Sequence, residues 1–65
     1  MRIRVNGLER DVAARTLELL LAELGYEDQL VATALNRNFV RSKDRIETPL
    51  REGDAVEIVA PKQGG

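Results

Sequence analysis

The residue types that most often perform side-chain catalysis are missing from this sequence of 65 residues. It contains no Cys and no His, which removes the thiolate nucleophile, the commonest general base and the commonest ligand of transition metals. The groups that remain are carboxylates, cationic side chains, a few hydroxyls and the main-chain carboxylate of Gly65, which follows Gly64. We therefore expect no side-chain-catalysed reaction, and we expect function to lie in binding and at the C-terminal residues.

Four acidic residues lie close together in the sequence and are candidates for a metal site or an acid/base pair: Glu18, Glu23, Glu27 and Asp28. Glu23 and Glu27 are four residues apart, but Gly25 between them interrupts a helix, so the two need not share a face. Hard cations require several converging oxygen ligands. We interpret the four residues as solvated charges and predict no metal site.

A basic stretch contains Arg37, Arg41, Lys43 and Arg45. It could be a solvated face, a surface for an acidic partner or a contact for RNA. The net charge of −1 and the presence of only two aromatic residues argue against nucleic-acid binding. A solvated face is the simplest interpretation, an acidic protein partner is the next, and we expect no nucleic-acid partner.

Length and composition indicate one small domain. A chain of this length buries only about 60% of the surface that it exposes when unfolded, so its core must be small. No apolar run approaches the roughly 20 residues of a membrane span, and the first residues show no signal-peptide pattern. We predict a cytoplasmic protein with no membrane partner.

The N-terminal residues predict a β-hairpin. Apolar and polar residues alternate from residue 1 to residue 5, as in a strand with one buried face. Asn6 and Gly7 then favour a type I′ turn, because both residue types tolerate a positive φ angle. A second strand over about residues 8–12 would return beside the first.

An amphipathic helix is predicted by leucines at helical spacing, namely Leu17, Leu20, Leu21 and Leu24. Thr16 is its expected N-cap, with a hydroxyl that can accept a backbone N–H of the first turn. Gly25 is expected to end the helix, and Tyr26 could pack back on Leu21, as in a Schellman motif.

Three further strands are predicted by alternating apolar residues, over 31–35, 39–40 and 55–60. The segment 41–51 between the last two is polar and irregular. We expect Ile46 and Leu50 in this segment to fill the core.

The order of these elements predicts a fold. The first and last strands can lie parallel, because the helix and the middle strands provide the long crossover that parallel pairing requires. The predicted class is α+β, a β-grasp or ubiquitin-like roll, with one main helix packed on a mixed sheet of four or five strands. We assign residues 1–60 to this domain and residues 61–65 to a flexible C-terminal Gly-Gly tail.

Five segments occur in the order MRIRVNG, TLELLLAELG, VATALN, LREGDAVEIV and a terminal QGG. Together they resemble the sulfur carriers of thiamine biosynthesis, the ThiS family, across nearly the whole chain. The family often carries Pro-Arg after the middle hairpin, where this sequence has Arg41 and Ser42.

The resemblance implies that Gly65 carries the reactive group. In such carriers an adenylating enzyme uses ATP to activate the C-terminal carboxylate, and a sulfur-donor protein supplies the sulfur that makes it a thiocarboxylate. A thiazole synthase then takes this sulfur into the thiazole of thiamine. The resemblance also implies a protein that is not an enzyme, binds no cofactor permanently and is monomeric when free.

Residues near the terminus would meet these partners. Gln63 and Gly64 would thread into a narrow enzyme site, which glycine can enter because it has no Cβ. Val59 would face outward near the start of the tail if its neighbours in the strand face the helix. We predict that Val59, Lys62 and Arg41 contact a partner, although single exposed valines are also common without any function.

Two alternatives remain open from the sequence. One is the small subunit of molybdopterin synthase, which uses the same kind of terminus but donates sulfur to a pterin. The other is a ubiquitin-fold binding module whose Gly-Gly tail has no chemical role.

Overall fold

The computed structural model describes residues 1–26 and 29–61. Five strands lie at Arg2–Val5 (β1), Leu8–Asp11 (β2), Ala32–Leu35 (β3), Asn38–Val40 (β4) and Ala55–Val59 (β5). Helix α1 spans Leu17–Glu23, and a 3₁₀ helix spans Ser42–Glu47. No helix in the described part of the chain is long and apolar enough to cross a membrane.

The five strands form one mixed sheet in the order β2-β1-β5-β3-β4. Strands β1 and β5 are parallel, and the other three neighbouring pairs are antiparallel. The helix and the β3–β4 hairpin lie between β1 and β5 in sequence, so they supply the crossover that the parallel pair needs. This arrangement confirms the predicted β-grasp fold, with five strands rather than four.

The N-terminal hairpin forms as predicted. Asn6 and Gly7 have φ angles of 52° and 85°, the left-handed conformations that a type I′ turn requires. The turn sets Val5 opposite Leu8 and Ile3 opposite Arg10. Ile3 and Val5 are buried, which confirms the inward face of β1.

The caps of α1 also form as predicted. The Thr16 hydroxyl accepts the backbone N–H of Leu19 at 3.2 Å. At the other end Gly25 has a φ angle of 88°, and the backbone N–H of Tyr26 donates to Leu21 O at 2.8 Å. These contacts define a Schellman motif, which satisfies a carbonyl that the helix end would otherwise leave without a donor.

The core lies between α1 and the inner face of the sheet. Its buried apolar residues come from both layers and from the loops beside them: Ile3, Val5, Val12, Ala14, Leu17, Leu20, Leu21, Leu50, Val56 and Ile58. The leucine spacing therefore predicted the buried face of α1, and the prediction for Leu50 is confirmed.

The prediction for Ile46 is wrong, because its side chain is 67% exposed. Arg45 is buried in its place, so the interpretation of Arg45 as part of a solvated face is also wrong. Its Nε donates to Thr33 Oγ1 at 3.0 Å, and its Nη2 donates to Val31 O at 2.7 Å. Because these bonds satisfy the guanidinium inside the protein, the 3₁₀ helix can turn Arg45 inward and leave Ile46 outside.

Glu23 is more than a solvated charge. Its carboxylate accepts the backbone N–H of Ala13 at 3.2 Å and that of Ala14 at 2.9 Å. It thereby joins the end of α1 to the loop that precedes the helix. Glu27 and Asp28, from the same acidic group, lie outside the described residues.

Candidate functional site

Strand β5 is the element that leads to the C-terminal residues. It occupies the centre of the sheet, between β1 and β3. Val56 and Ile58 point into the core, whereas Glu57 and Val59 are exposed on the opposite face. The last strand residue, Val59, pairs with Ala32 of β3. The chain therefore leaves the sheet from its central strand, which has a partner strand on each side.

Val59 belongs to a larger apolar area on the outer face of the sheet. Its partner Ala32 is exposed, and two residues along β3 Ala34 lies between Glu57 and Phe39. The side chains of Phe39 and Val59 are 70% and 64% exposed. A shallow hollow runs between these residues.

The apolar area continues past the end of β5. A second hollow adjoins the first at Val59 and Ala32, and Leu30 and Pro61 also line it. Leu30 is 86% exposed. We call the whole area the outer-sheet patch, which consists of Leu30, Ala32, Ala34, Phe39, Val59 and Pro61. Contiguous exposed apolar residues of this kind mark surfaces that bind other proteins.

Charged residues border the patch. Glu57, exposed on the same face of β5, lines the first hollow together with Ala34 and Phe39. Beyond β4, Arg41 follows Val40, which pairs with Thr33; the backbone of Arg41 therefore lies beside that of Ala32. An apolar centre with a charged border is the usual composition of a protein-binding surface.

Arg41, one of the predicted contact residues, is exposed at this border. Its Nε lies 3.5 Å from a carboxylate oxygen of Asp44, one turn along the 3₁₀ helix. An exposed ion pair of this kind contributes at most about 1 kcal/mol, so a partner could displace it at little cost. The role of Arg41 in docking remains a prediction.

The other predicted residues of the tail are Lys62, Gln63, Gly64 and Gly65, and they lie outside the described residues. The chain from residue 60 to residue 65 has six residues. Fully extended, it spans at most about 20 Å. A group carried by Gly65 can therefore reach no farther than that distance from Val59, and the outer-sheet patch lies at the start of this reach.

The sequence contains a signal for Phe39 of the patch that residue-by-residue analysis missed. The two-residue turn at Asn36 and Arg37 sets Phe39 opposite Ala34, on the face away from Thr33. Leu30 had no such signal, since its exposure depends on where the loop between α1 and β3 joins the sheet.

No group of three or more acidic, His or Cys residues in the described ranges is arranged to hold a metal ion. The polar groups of the outer face are instead ion-paired or open to solvent. The outer face of the sheet therefore provides a binding surface beside the residues at which the chain leaves β5.

Comparison with known proteins shows similarity to one family of sulfur carrier proteins. The model of the ThiS family matches residues 3–65. A protein of Thermus thermophilus named sulfur carrier protein ThiS is 41% identical over 61 residues, which cover 94% of this chain and 95% of that protein.

A second relative, a thiazole synthase of Paramagnetospirillum magneticum, is 38% identical over 66 residues. The match covers all of this chain but only 20% of the synthase. The crystal structure of the thiamine biosynthesis protein ThiS from Geobacter metallireducens superposes with a TM-score of 0.80 at 30% identity, and the match covers both chains completely. On the family match and the coverage of these relatives, the chain belongs to the ThiS family.

Proposed function

We propose that this protein is a sulfur carrier of thiamine biosynthesis and that the carboxylate of Gly65 carries the sulfur. The observation on which this depends is the ThiS family match, which extends through residue 65. The Geobacter protein is named as a thiamine biosynthesis protein, and the Paramagnetospirillum protein is named as a thiazole synthase. These names favour the thiamine pathway over molybdopterin synthesis and over an idle tail.

The chemistry follows from the weakness of a carboxylate as an electrophile. A carboxylate oxygen of Gly65 attacks the α-phosphorus of ATP and displaces pyrophosphate, which leaves an acyl-adenylate. A sulfur atom at the oxidation level of sulfide then attacks the carbonyl carbon, and AMP departs with the C–O bond electrons. One difficult substitution becomes two easier ones, as in other covalent activation. ATP is bound and used by the partner enzyme.

The composition of the tail suits delivery into such an enzyme. Gly64 and Gly65 have no Cβ, so the main chain can enter a channel too narrow for larger residues and adopt the φ angles that the channel imposes. Gln63 would lie at the mouth of that channel. The carrier is therefore a protein substrate of the adenylating enzyme, and we expect it to be monomeric when free.

Three partners take part in this cycle: the adenylating enzyme, a protein that donates sulfur, and a thiazole synthase. The Paramagnetospirillum relative supports the last of these, because a thiazole synthase there contains a segment similar to the whole of this carrier. Two modules joined in one chain meet at high effective concentration. We infer that these partners bind the protein at the outer-sheet patch.

A direct test is the intact mass of the protein after incubation with ATP, an adenylating enzyme and a sulfur source. A carrier gains the mass difference between one sulfur atom and one oxygen atom. The product should then support thiazole formation when a thiazole synthase is added. A mass that stays unchanged in the presence of an enzyme active on another ThiS protein would show that the proposal is wrong.

Docking on the outer-sheet patch is tested by Val59→Asp. A carboxylate in the patch must be desolvated against an apolar partner, so we expect KM for adenylation to rise about tenfold, which corresponds to roughly 1.4 kcal/mol of lost binding. The matched control is Ile46→Asp, since Ile46 is 67% exposed but lies on the 3₁₀ helix, which packs against α1. Equal KM values for the two variants would contradict docking at this surface.

A further inference from the structure

Strand β1 ends before the parallel strand β5 does. The two strands pair only at Arg4 with Ala55 and at Val5 with Val56. The backbone N–H of Asn6 makes the last main-chain bond of this ladder, to Val56 O at 2.9 Å. The chain then turns away at Asn6, so β1 has no backbone group to offer Ile58.

The side chain of Asn6 replaces the missing backbone. Its Oδ1 accepts the backbone N–H of Ile58 at 2.8 Å, and its Nδ2 donates to Ile58 O at 3.1 Å. The carboxamide thus presents an acceptor and a donor as a peptide group would, and it extends the parallel ladder by one residue. Asn6 has a positive φ angle of 52° in the hairpin turn, and from this position its side chain contacts β5.

This contact lies at the start of the tail. Ile58 is bonded by Asn6 on one side, and Val59 is paired with Ala32 on the other. Residues 60–65 follow, and under the proposed function they carry the terminal carboxylate into the partner enzyme. The direction in which the chain leaves the sheet is therefore set at Ile58 and Val59.

We propose that Asn6 is a positioning residue for sulfur loading, which fixes the direction of the C-terminal tail through its two hydrogen bonds to Ile58. This inference rests on the proposed function. A residue that only sets where the terminus points should affect kcat, because the docked complex forms normally but the carboxylate meets ATP in fewer productive geometries. A docking residue should affect KM instead.

The chain contains a matched control in Asn36. Asn36 also has a positive φ angle, 49°, in a two-residue turn, and its Oδ1 accepts the backbone N–H of Ala55 at 2.9 Å. Its Nδ2 donates to Asp54 Oδ1 at 3.1 Å. It therefore makes the same kind of contact to β5, but at the end of the strand that is remote from the tail.

The experiment compares Asn6→Gly with Asn36→Gly, because glycine keeps the positive φ angle at low cost and removes only the carboxamide. We expect kcat for adenylation to fall about tenfold in Asn6→Gly with KM within about twofold of wild type. In Asn36→Gly we expect both constants to stay near wild type, although urea unfolding shows a comparable loss of stability. Hydrogen exchange at the Ile58 amide should accelerate in Asn6→Gly more than at the Val56 amide.

Equal kcat values for the two glycine variants would overturn the positioning role. An Ile58 amide that exchanges no faster in Asn6→Gly than in Asn36→Gly would show that Asn6 does not hold the end of β5. If wild-type protein is not loaded at all, the proposed function is wrong. The exchange measurement then still decides whether Asn6 fixes the strand.

Discussion

Deletion of Gly65 is expected to abolish thiocarboxylate formation and to leave the domain folded. The deletion moves the terminal carboxylate back by one residue, about 3.3 Å along an extended chain. Displacements of about 1 Å at a reacting group can cost a factor of 100 in rate. The shortened protein should therefore show no gain of mass after incubation with ATP, the adenylating enzyme and the sulfur source.

The fold provides the internal control for this deletion. In the part of the chain that the structure describes, no core residue or strand lies beyond Val59, so we expect the urea midpoint of the shortened protein to match that of wild type. The shortened protein should also compete with wild type for the enzyme, because the outer-sheet patch is intact. A normal gain of mass without Gly65 would show that another carboxylate carries the sulfur.

The sequence predicts those parts of the fold that neighbouring residues determine. The Thr16 cap, the left-handed Gly25 and the Asn6-Gly7 turn all depend on residues within one turn of chain. The alternation in β1 and β5 and the leucine spacing in α1 are also local. Hence the strands, the main helix, their order along the chain and the inward faces could be predicted, and so could the parallel pairing of β1 with β5; the positions of β3 and β4 in the sheet and the 3₁₀ helix were not predicted.

The parts that the sequence did not predict depend on contacts between distant segments. Arg45 is buried because Thr33 and Val31, more than ten residues earlier, offer acceptors to its guanidinium. Without knowledge of those acceptors, an apolar Ile46 is the reasonable candidate for the core. Spacing within a polar segment carries too little information to choose between adjacent positions on a 3₁₀ helix.

The candidate site also combines a feature that neighbouring residues determine with features that depend on distant segments. The exposure of Val59 could be predicted from alternation within β5, but its neighbours could not be predicted from spacing within any one segment. Ala32 and Phe39 join it because β3 lies between β5 and β4 in the sheet. The two bonds from Asn6 to Ile58 likewise join residues 52 positions apart. A site assembled by strand order requires the topology before its residues can be grouped.

Polar contacts from loops supplement a core that is limited by chain length. Arg45 joins the 3₁₀ helix to β3, and Glu23 joins the end of α1 to the loop before it. These contacts have measurable value in a small domain, since about 0.05–0.15 kcal/mol per residue gives a total of roughly 3–10 kcal/mol for a chain of this length. Any large loss of stabilisation in the core is therefore a substantial part of the total free energy of unfolding.

Leu20→Ala is expected to remove a large part of that stability. Leu20 is fully buried in α1, at 0% exposure, and truncation of such a leucine costs about 2–5 kcal/mol through lost burial and the remaining cavity. Urea unfolding followed by circular dichroism should show a much lower midpoint, with part of the protein unfolded even without urea if the loss is near the upper figure. Loading with sulfur should decline in proportion to the folded fraction, because partners grip a folded surface.

The neighbouring Leu19 provides the matched control for this truncation. It lies on the same helix and has the same side chain, but it is 54% exposed. Leu19→Ala should therefore change the free energy of unfolding by no more than about 0.5 kcal/mol, with alanine even favoured slightly by helix propensity. If both variants unfold at the same urea concentration, α1 does not pack on the sheet through the face described. In that case β5 would lack the support that holds the start of the tail in place.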